Sequence, residues 1–206
     1  MSLYRLGSVT LLLLTLLAGA AFAVPLNPPR AGQVGISVQG AYSQLLGTEP
    51  FANEFSGGGG YDVRLRYRMR YERAIGLSFE SHRYDTKHPV ALDPTDQATI
   101  APDRLNSTLS GIDFYQMFGT RTASVKMLSI SGGLAQERVK LNDGESELSG
   151  QFSGDSFYLG VGAGLERYVY RAIAIDLSAR YNAIFRDGSP HHDVTAAIGI
   201  IMYAGY

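Results

Sequence analysis

The 206-residue sequence contains no cysteine and no tryptophan. The lack of cysteine excludes a disulfide-stapled scaffold, a thiolate nucleophile and a Cys-ligated zinc site. There is almost no surplus of charge: 18 Lys and Arg stand against 19 Asp and Glu, a formal net charge of -1. A nucleic-acid binder needs a basic surplus to hold phosphates, so that class is excluded. Long apolar runs are missing outside the extreme N-terminus, which leaves the mature chain without a helical membrane span. What the sequence does have is 45% apolar residues, with 24 Gly, 13 Tyr and 9 Phe. That is too apolar for a wholly disordered chain, and the length fits one domain or two small ones.

The N-terminus reads as an address. Arg5 precedes an almost purely apolar stretch from Val9 to Leu17, and Ala21-Phe22-Ala23 follows. The last three residues fit the small-x-small rule, which predicts a signal peptide over 1–23 with cleavage before Val24. No cysteine follows, so this is not a lipoprotein signal. Residues 24–31, with Pro25, Pro28 and Pro29, read as an irregular lead-in. Residues 32–206 carry the fold.

From there, period-two alternation dominates over helical spacing. The clearest segment runs from Tyr61 to Glu72. Tyr61, Val63, Leu65, Tyr67, Met69 and Tyr71 share one face, and Asp62, Arg64, Arg66, Arg68, Arg70 and Glu72 share the other. The stretch is long enough to cross a bilayer as a tilted strand, which takes about 9–11 residues. Seven further segments alternate with less contrast: about 32–45, 75–84, 108–119, 124–139, 156–168, 172–185, and a last strand in which Val194 to Tyr206 are apolar at every second position. The connections between strands alternate long and short. Residues 47–58, 85–107 and 140–155 are long and rich in Gly, Pro, Asp, Asn and Ser. Those near Arg73, Thr120 and Tyr170 are short, and 186–192 is intermediate. In an up-and-down meander this puts the long connections at one end, the pattern of a bacterial outer-membrane barrel.

Alternation alone also fits a soluble barrel with its apolar face inward. Four features favour a membrane. Gly160, Gly162 and Gly164 lie on the polar face, where they make room inside a narrow barrel for long side chains such as the arginines. Acids on the same phase offer partners to those arginines: Asp62, Glu72, Glu80, Asp113, Glu137, Glu166 and Asp176, with Arg180 adding a further cation. A three-residue turn after the second strand would set Arg68 opposite Glu80, Arg70 opposite Ser78 and Arg66 opposite His82. Tyr42, Tyr61, Tyr71, Tyr168, Tyr170, Tyr203 and Tyr206 fall near strand ends, as an interfacial girdle requires. Finally, Tyr206 ends the last strand with an aromatic.

On these residues the chain resembles the small outer-membrane β-barrel proteins of the OmpA-like transmembrane-domain and opacity-protein-like group. Gly160-Val161-Gly162-Ala163-Gly164-Leu165-Glu166 and Ala174-Ile175-Asp176-Leu177-Ser178-Ala179-Arg180-Tyr181 have that texture. The resemblance implies an all-β, eight-stranded, antiparallel up-and-down transmembrane β-barrel. Such a barrel has an interior just wide enough for side chains to fill. It also implies an outer-membrane location, contact with outer-membrane lipid, and recognition by the barrel-assembly machinery through a C-terminal strand ending in Tyr206.

The chemistry to be found is sparse. His191-His192-Asp193 reads as a polar loop, since adjacent histidines on a strand point apart. Glu80-Ser81-His82 lacks the geometry of a hydrolase. Gly57 to Gly60 has no Lys-Ser/Thr after it, so it reads as a hinge at a loop-to-strand junction and not a phosphate loop. Gln116 falls on the apolar phase without explanation. The expectation is a non-enzymatic, monomeric barrel with no cofactor, no metal and no nucleic-acid partner. Its lumen would hold a charge network of Asp62, Arg64, Arg66, Arg68, Arg70, Glu72, Glu80, Glu137, Glu166, Asp176 and Arg180. Two alternatives stand beside it: a narrow anion-preferring pore along the arginine row, and a soluble periplasmic lipid-binding barrel.

Overall fold

The computed structural model describes residues 31–47, 55–70, 72–86, 102–141, 154–170, 172–185 and 190–204. The expected signal peptide, most of the lead-in and Tyr206 lie outside them. Eight strands follow one another: β1 (Val34–Leu46), β2 (Phe55–Arg70), β3 (Arg73–Thr86), β4 (Pro102–Phe118), β5 (Ser124–Leu141), β6 (Gly154–Tyr170), β7 (Ile173–Phe185) and β8 (His191–Ala204). Each pairs antiparallel with its sequence neighbour, and β8 returns to β1 from Val34↔Ala204 to Leu46↔His192, closing the barrel. Closure leaves no unpaired edge, so every strand's backbone groups find partners within the sheet.

Alternation decides which side chain faces which way. On β2, Leu65, Tyr67 and Met69 are 41%, 44% and 44% exposed, while Arg64, Arg66 and Arg68 between them are 1%, 0% and 0% exposed. The same parity turns Ile36 and Val38, Ile112 and Phe114, Leu128 and Ile130, and Ile198 and Ile200 outward on their strands. Short and long connections segregate to opposite ends of the barrel. At the short-turn end, Gly119 adopts a φ of 69°, a left-handed conformation that costs glycine little. Its carbonyl accepts the amide of Thr122 at 3.0 Å, tightening the turn into β5.

Several expectations need correction. The β2–β3 hairpin is tighter than a three-residue turn: pairing runs to Arg70↔Arg73, with a register shift between Arg68 and Arg70. Asp62, not Arg68, therefore lies opposite Glu80, and Arg64 lies opposite Ser78. Phase is preserved because the slip is an even number of residues. β4 begins at Pro102, and the glycine run 57–60 lies within β2 and not in a hinge. Gly58 and Gly60 pair with Tyr84 and His82 on β3, whose backbone comes too close for a Cβ at Gly58, while the Ser81 carbonyl and the His82 ring leave no room for one at Gly60. His191 to Asp193 belong to β8 and not to a loop. Tyr168 and Tyr203 are buried inside and not set in an outer girdle, since they share the phase of Glu166 and Ile201. Tyr42, Tyr61 and Tyr170 do face outward.

The interior is not polar throughout. At the short-turn end Ala74, Tyr115, Met117, Val125, Met127, Tyr168, Ala174, Ile201 and Tyr203 form an apolar cluster. Towards the long connections, Leu45, Phe55, Tyr84, Leu105 and Val139 form another, and Leu109, Ala135, Tyr158 and Ile184 a third. The charges lie between these. The glycines of β6 thin the wall where the neighbouring strands need room. A Cβ on Gly162 would stand 2.7 Å from Ser129 Oγ and 3.0 Å from Arg180 Cγ, and one on Gly164 would stand 2.8 Å from Met127 Cε. The room serves side chains of the adjacent β5 and β7, not the arginines of β2. Gly162→Val should therefore overpack the wall and destabilise the barrel by about 1–3 kcal/mol in a urea titration, whereas Ala163→Val on the outer face should change little.

Candidate functional site

Four guanidiniums and seven carboxylates are buried among the described residues, and most meet in two successive layers across the barrel. Their placement follows from strand parity. Asp62, Arg64, Arg66 and Arg68 project inward from β2, Glu80 and His82 from β3, Asp113 from β4, Glu166 from β6, and Asp176 and Arg180 from β7.

Glu166 is the best-satisfied acid. Its Oε2 accepts Arg68 Nη2 at 2.6 Å and the Tyr168 hydroxyl at 2.7 Å. Its Oε1 accepts Arg66 Nη1 and, at 2.7 Å, the Tyr203 hydroxyl. Two cations and two phenols thus converge on one carboxylate. Arg66 Nη2 also lies 3.5 Å from Asp176 Oδ2, which accepts Ser37 Oγ at 2.9 Å. Both arginines lie over aromatic faces. Arg66 Cζ is 4.3 Å from the ring centre of Tyr115, and Arg68 Cζ is 4.8 Å from that of Tyr203. The ring quadrupole attracts the cation most where water is excluded.

A second knot sits one layer further towards the long connections. Arg180 Nη1 donates to Glu80 Oε1 at 2.5 Å, and Nη2 donates to Asp113 Oδ2 at 3.1 Å. Arg64 Nη2 donates to Asp62 Oδ2 at 2.9 Å and to Glu80 Oε1 at 3.4 Å. Arg64 Nη1 reaches Ser178 Oγ at 3.2 Å. The bonds of Arg180 to Glu80 and Asp113, and of Arg64 to Ser178, cross the lumen and join strands that share no backbone ladder.

Not every residue expected in the network is in it. Arg70 and Glu72 are exposed at the short-turn end, because the early hairpin closure places them beyond the enclosed part of β2. Glu137 is buried but apart, with its Oε1 2.7 Å from His191 Nε2. The sequence reading missed Tyr115, Tyr168 and Tyr203 as partners of the arginines. The signal was present: Tyr115 and Tyr168 follow inward acids by two positions, and Tyr203 lies on the phase opposite Met202. Among the described residues, Asp62, Glu80 and His82 are the one group of metal-ligating side chains whose donor atoms lie within 4.8 Å of one another. Ser81 and His82 are successive residues of β3 and point to opposite sides of the sheet, His82 buried inside and Ser81 half-buried.

Removing the charge at the hub should be costly. Glu166→Gln leaves the buried Arg68 without a carboxylate and Arg66 with only its 3.5 Å contact to Asp176, and should lower stability by about 3–5 kcal/mol in reversible urea unfolding. Arg70→Ala, at the exposed turn, should stay within about 0.5 kcal/mol of the unaltered protein in the same titration.

No protein-family model matches the sequence, and no curated protein matches it in sequence. Solved structures do match in fold. Neisserial surface protein A aligns with a TM-score of 0.55 at 16% identity, over 83% of this chain and 98% of that one. Ail, the attachment invasion locus protein of Yersinia pestis, aligns with a TM-score of 0.56 at 14% identity, over 84% and 99%. The outer membrane protein OprG from Pseudomonas aeruginosa gives 0.59 at 11% identity, over 88% and 100%. With its closed antiparallel sheet of eight sequential strands, the chain has the fold of the small bacterial outer-membrane β-barrel proteins.

Proposed function

We propose that this protein is a non-enzymatic, monomeric barrel that spans the bacterial outer membrane with a closed, ion-paired interior and presents its long connections at the outer surface. One observation carries the reading. The described residues expose 28 large hydrophobic side chains, spread around the barrel, while the arginines are enclosed. A soluble monomer rarely exposes so wide an apolar surface, but a barrel in lipid needs one. The soluble lipid-binding alternative requires the reverse polarity, with an apolar cavity inside. Aromatics at both ends of the outer face fit the two interfaces: Tyr42, Tyr61 and Phe157 towards the long connections, and Tyr67, Phe118 and Tyr170 towards the short turns. Contact with outer-membrane lipid and insertion by the barrel-assembly machinery through the last strand belong to the same reading, as does export by the N-terminal signal.

The alternative of an anion-preferring pore finds less support. The ionic layer is cross-linked from wall to wall, and apolar clusters stand on either side of it. Buried acids also outnumber buried guanidiniums, seven to four among the described residues, so the interior field does not favour an anion. The name of the Yersinia pestis relative assigns it to attachment and invasion. By analogy, the long connections after β1, β3 and β5 are the parts of this chain available for recognition outside the cell.

Fractionation and gel mobility test the location. The protein should sediment with outer membranes and migrate differently before and after boiling in detergent; release by osmotic shock without detergent would exclude it. In planar bilayers the purified barrel should give no discrete conductance steps. Regular anion-selective openings, reduced by Arg180→Ala, would instead establish the pore.

A further inference from the structure

Several polar atoms of the ionic layer make no hydrogen bond, Arg66 Nη2, Arg68 Nη1 and Asp176 Oδ1 among them, and in one place such atoms from three residues lie together. Asp62 and Glu80 face each other across the β2–β3 ladder, and His82 follows on the same inward phase, opposite Gly60. Each carboxylate commits one oxygen to an arginine: Asp62 Oδ2 to Arg64 at 2.9 Å, and Glu80 Oε1 to Arg180 at 2.5 Å. The remaining oxygens, Asp62 Oδ1 and Glu80 Oε2, accept no hydrogen bond, and neither ring nitrogen of His82 makes one. All three side chains are buried: Asp62 and Glu80 are 0% exposed, and His82 is 2% exposed. Orphaned polar atoms at such depth are rare and need a cause.

We propose that Asp62 Oδ1, Glu80 Oε2 and His82 Nε2 bind a divalent cation of the zinc class within the barrel. His82 Nε2 is 3.6 Å from Asp62 Oδ1 and 3.7 Å from Glu80 Oε2. Those separations are too long for good hydrogen bonds. They are close to the ~3.3 Å between donors that share a tetrahedral ion at about 2.0–2.2 Å. The donor set of one imidazole and two carboxylates suits zinc and its first-row neighbours better than calcium or magnesium, which take oxygen alone. The arginines on the far oxygens orient the carboxylates, as outer-shell partners do at metal sites. Gly60 leaves room for the imidazole, since a Cβ there would fall 2.6 Å from His82 Nδ1. The acid excess of the interior supplies the charge balance: a dication offsets carboxylates that four guanidiniums leave uncompensated. The sequence reading assigned no metal, because Asp62 is distant in sequence and only the β2–β3 register brings it to Glu80 and His82. The site stands on the barrel interior alone and does not depend on the membrane placement.

The test is metal retention by the folded barrel. The protein is refolded into detergent micelles with Zn2+, passed over a chelating resin, and its zinc counted by atomic emission. The unaltered barrel should keep one zinc ion. His82→Gln and Asp62→Asn barrels, shown to be folded by heat-modifiable mobility, should lose it, and His192→Gln at the outer face should keep it. Zinc retained by a folded His82→Gln barrel, or none retained by the unaltered one, overturns the proposal. The second result would leave a trapped water or a shared proton as the partner of these atoms. If both interior variants fail to fold, the unaltered barrel refolded with Co2+ decides. A visible ligand-field band that persists in EDTA supports the site, and its absence refutes it.

Discussion

Four guanidiniums are enclosed in the interior of one narrow barrel, and the rest of that interior is arranged around them. Burying an ion costs several kcal/mol unless paired charges and hydrogen bonds replace its hydration. Glu166 answers for two of the four by accepting from Arg66, Arg68 and two tyrosine hydroxyls. Arg180 is clamped between Glu80 and Asp113, and Arg64 bridges Asp62 and Glu80. The groups come from β2, β3, β4, β6 and β7 and share partners, so losing one leaves another buried charge less well paired.

These contacts give the barrel a second set of ties. The backbone ladder joins each strand only to its two neighbours. The side-chain layer joins β2 to β6, β7 and β8, and β7 to β3 and β4. A closed sheet resists opening at an edge; a cross-linked interior also resists ovalisation. The apolar clusters on either side exclude water from the layer, which strengthens every charge–charge contact within it. The glycines of β6 fit the same scheme, because a thinner wall there lets Arg180 and Met127 lie against it.

Much of this was legible as parity. Asp62 to Met69 announces its two faces without ambiguity, and the even slip of the β2–β3 register left those assignments intact, though not the enclosure of Arg70 and Glu72. The end plugs were harder to see. Leu105, Leu109, Met117, Val125 and Ile201 are apolar residues on an inward phase, and an apolar residue on a strand carries no mark of which solvent it avoids. Tyr168 and Tyr203 were misread for a related reason. Tyrosine suits a membrane interface and a buried hydroxyl contact equally, and only its phase relative to Glu166 separates the two.

The residue order by itself determined the all-β architecture, the strand count, the side each residue from Asp62 to Met69 faces, and the end at which the long connections gather. These are local properties, carried by a period of two and by the spacing of turn residues. The tertiary structure alone decided who meets whom across the lumen. That depends on how far each hairpin closes and how the strands stagger when β8 returns to β1, quantities no single strand encodes. Arg70 and Glu72 fell outside the network, and Asp62, Glu80 and His82 came together, for that one reason.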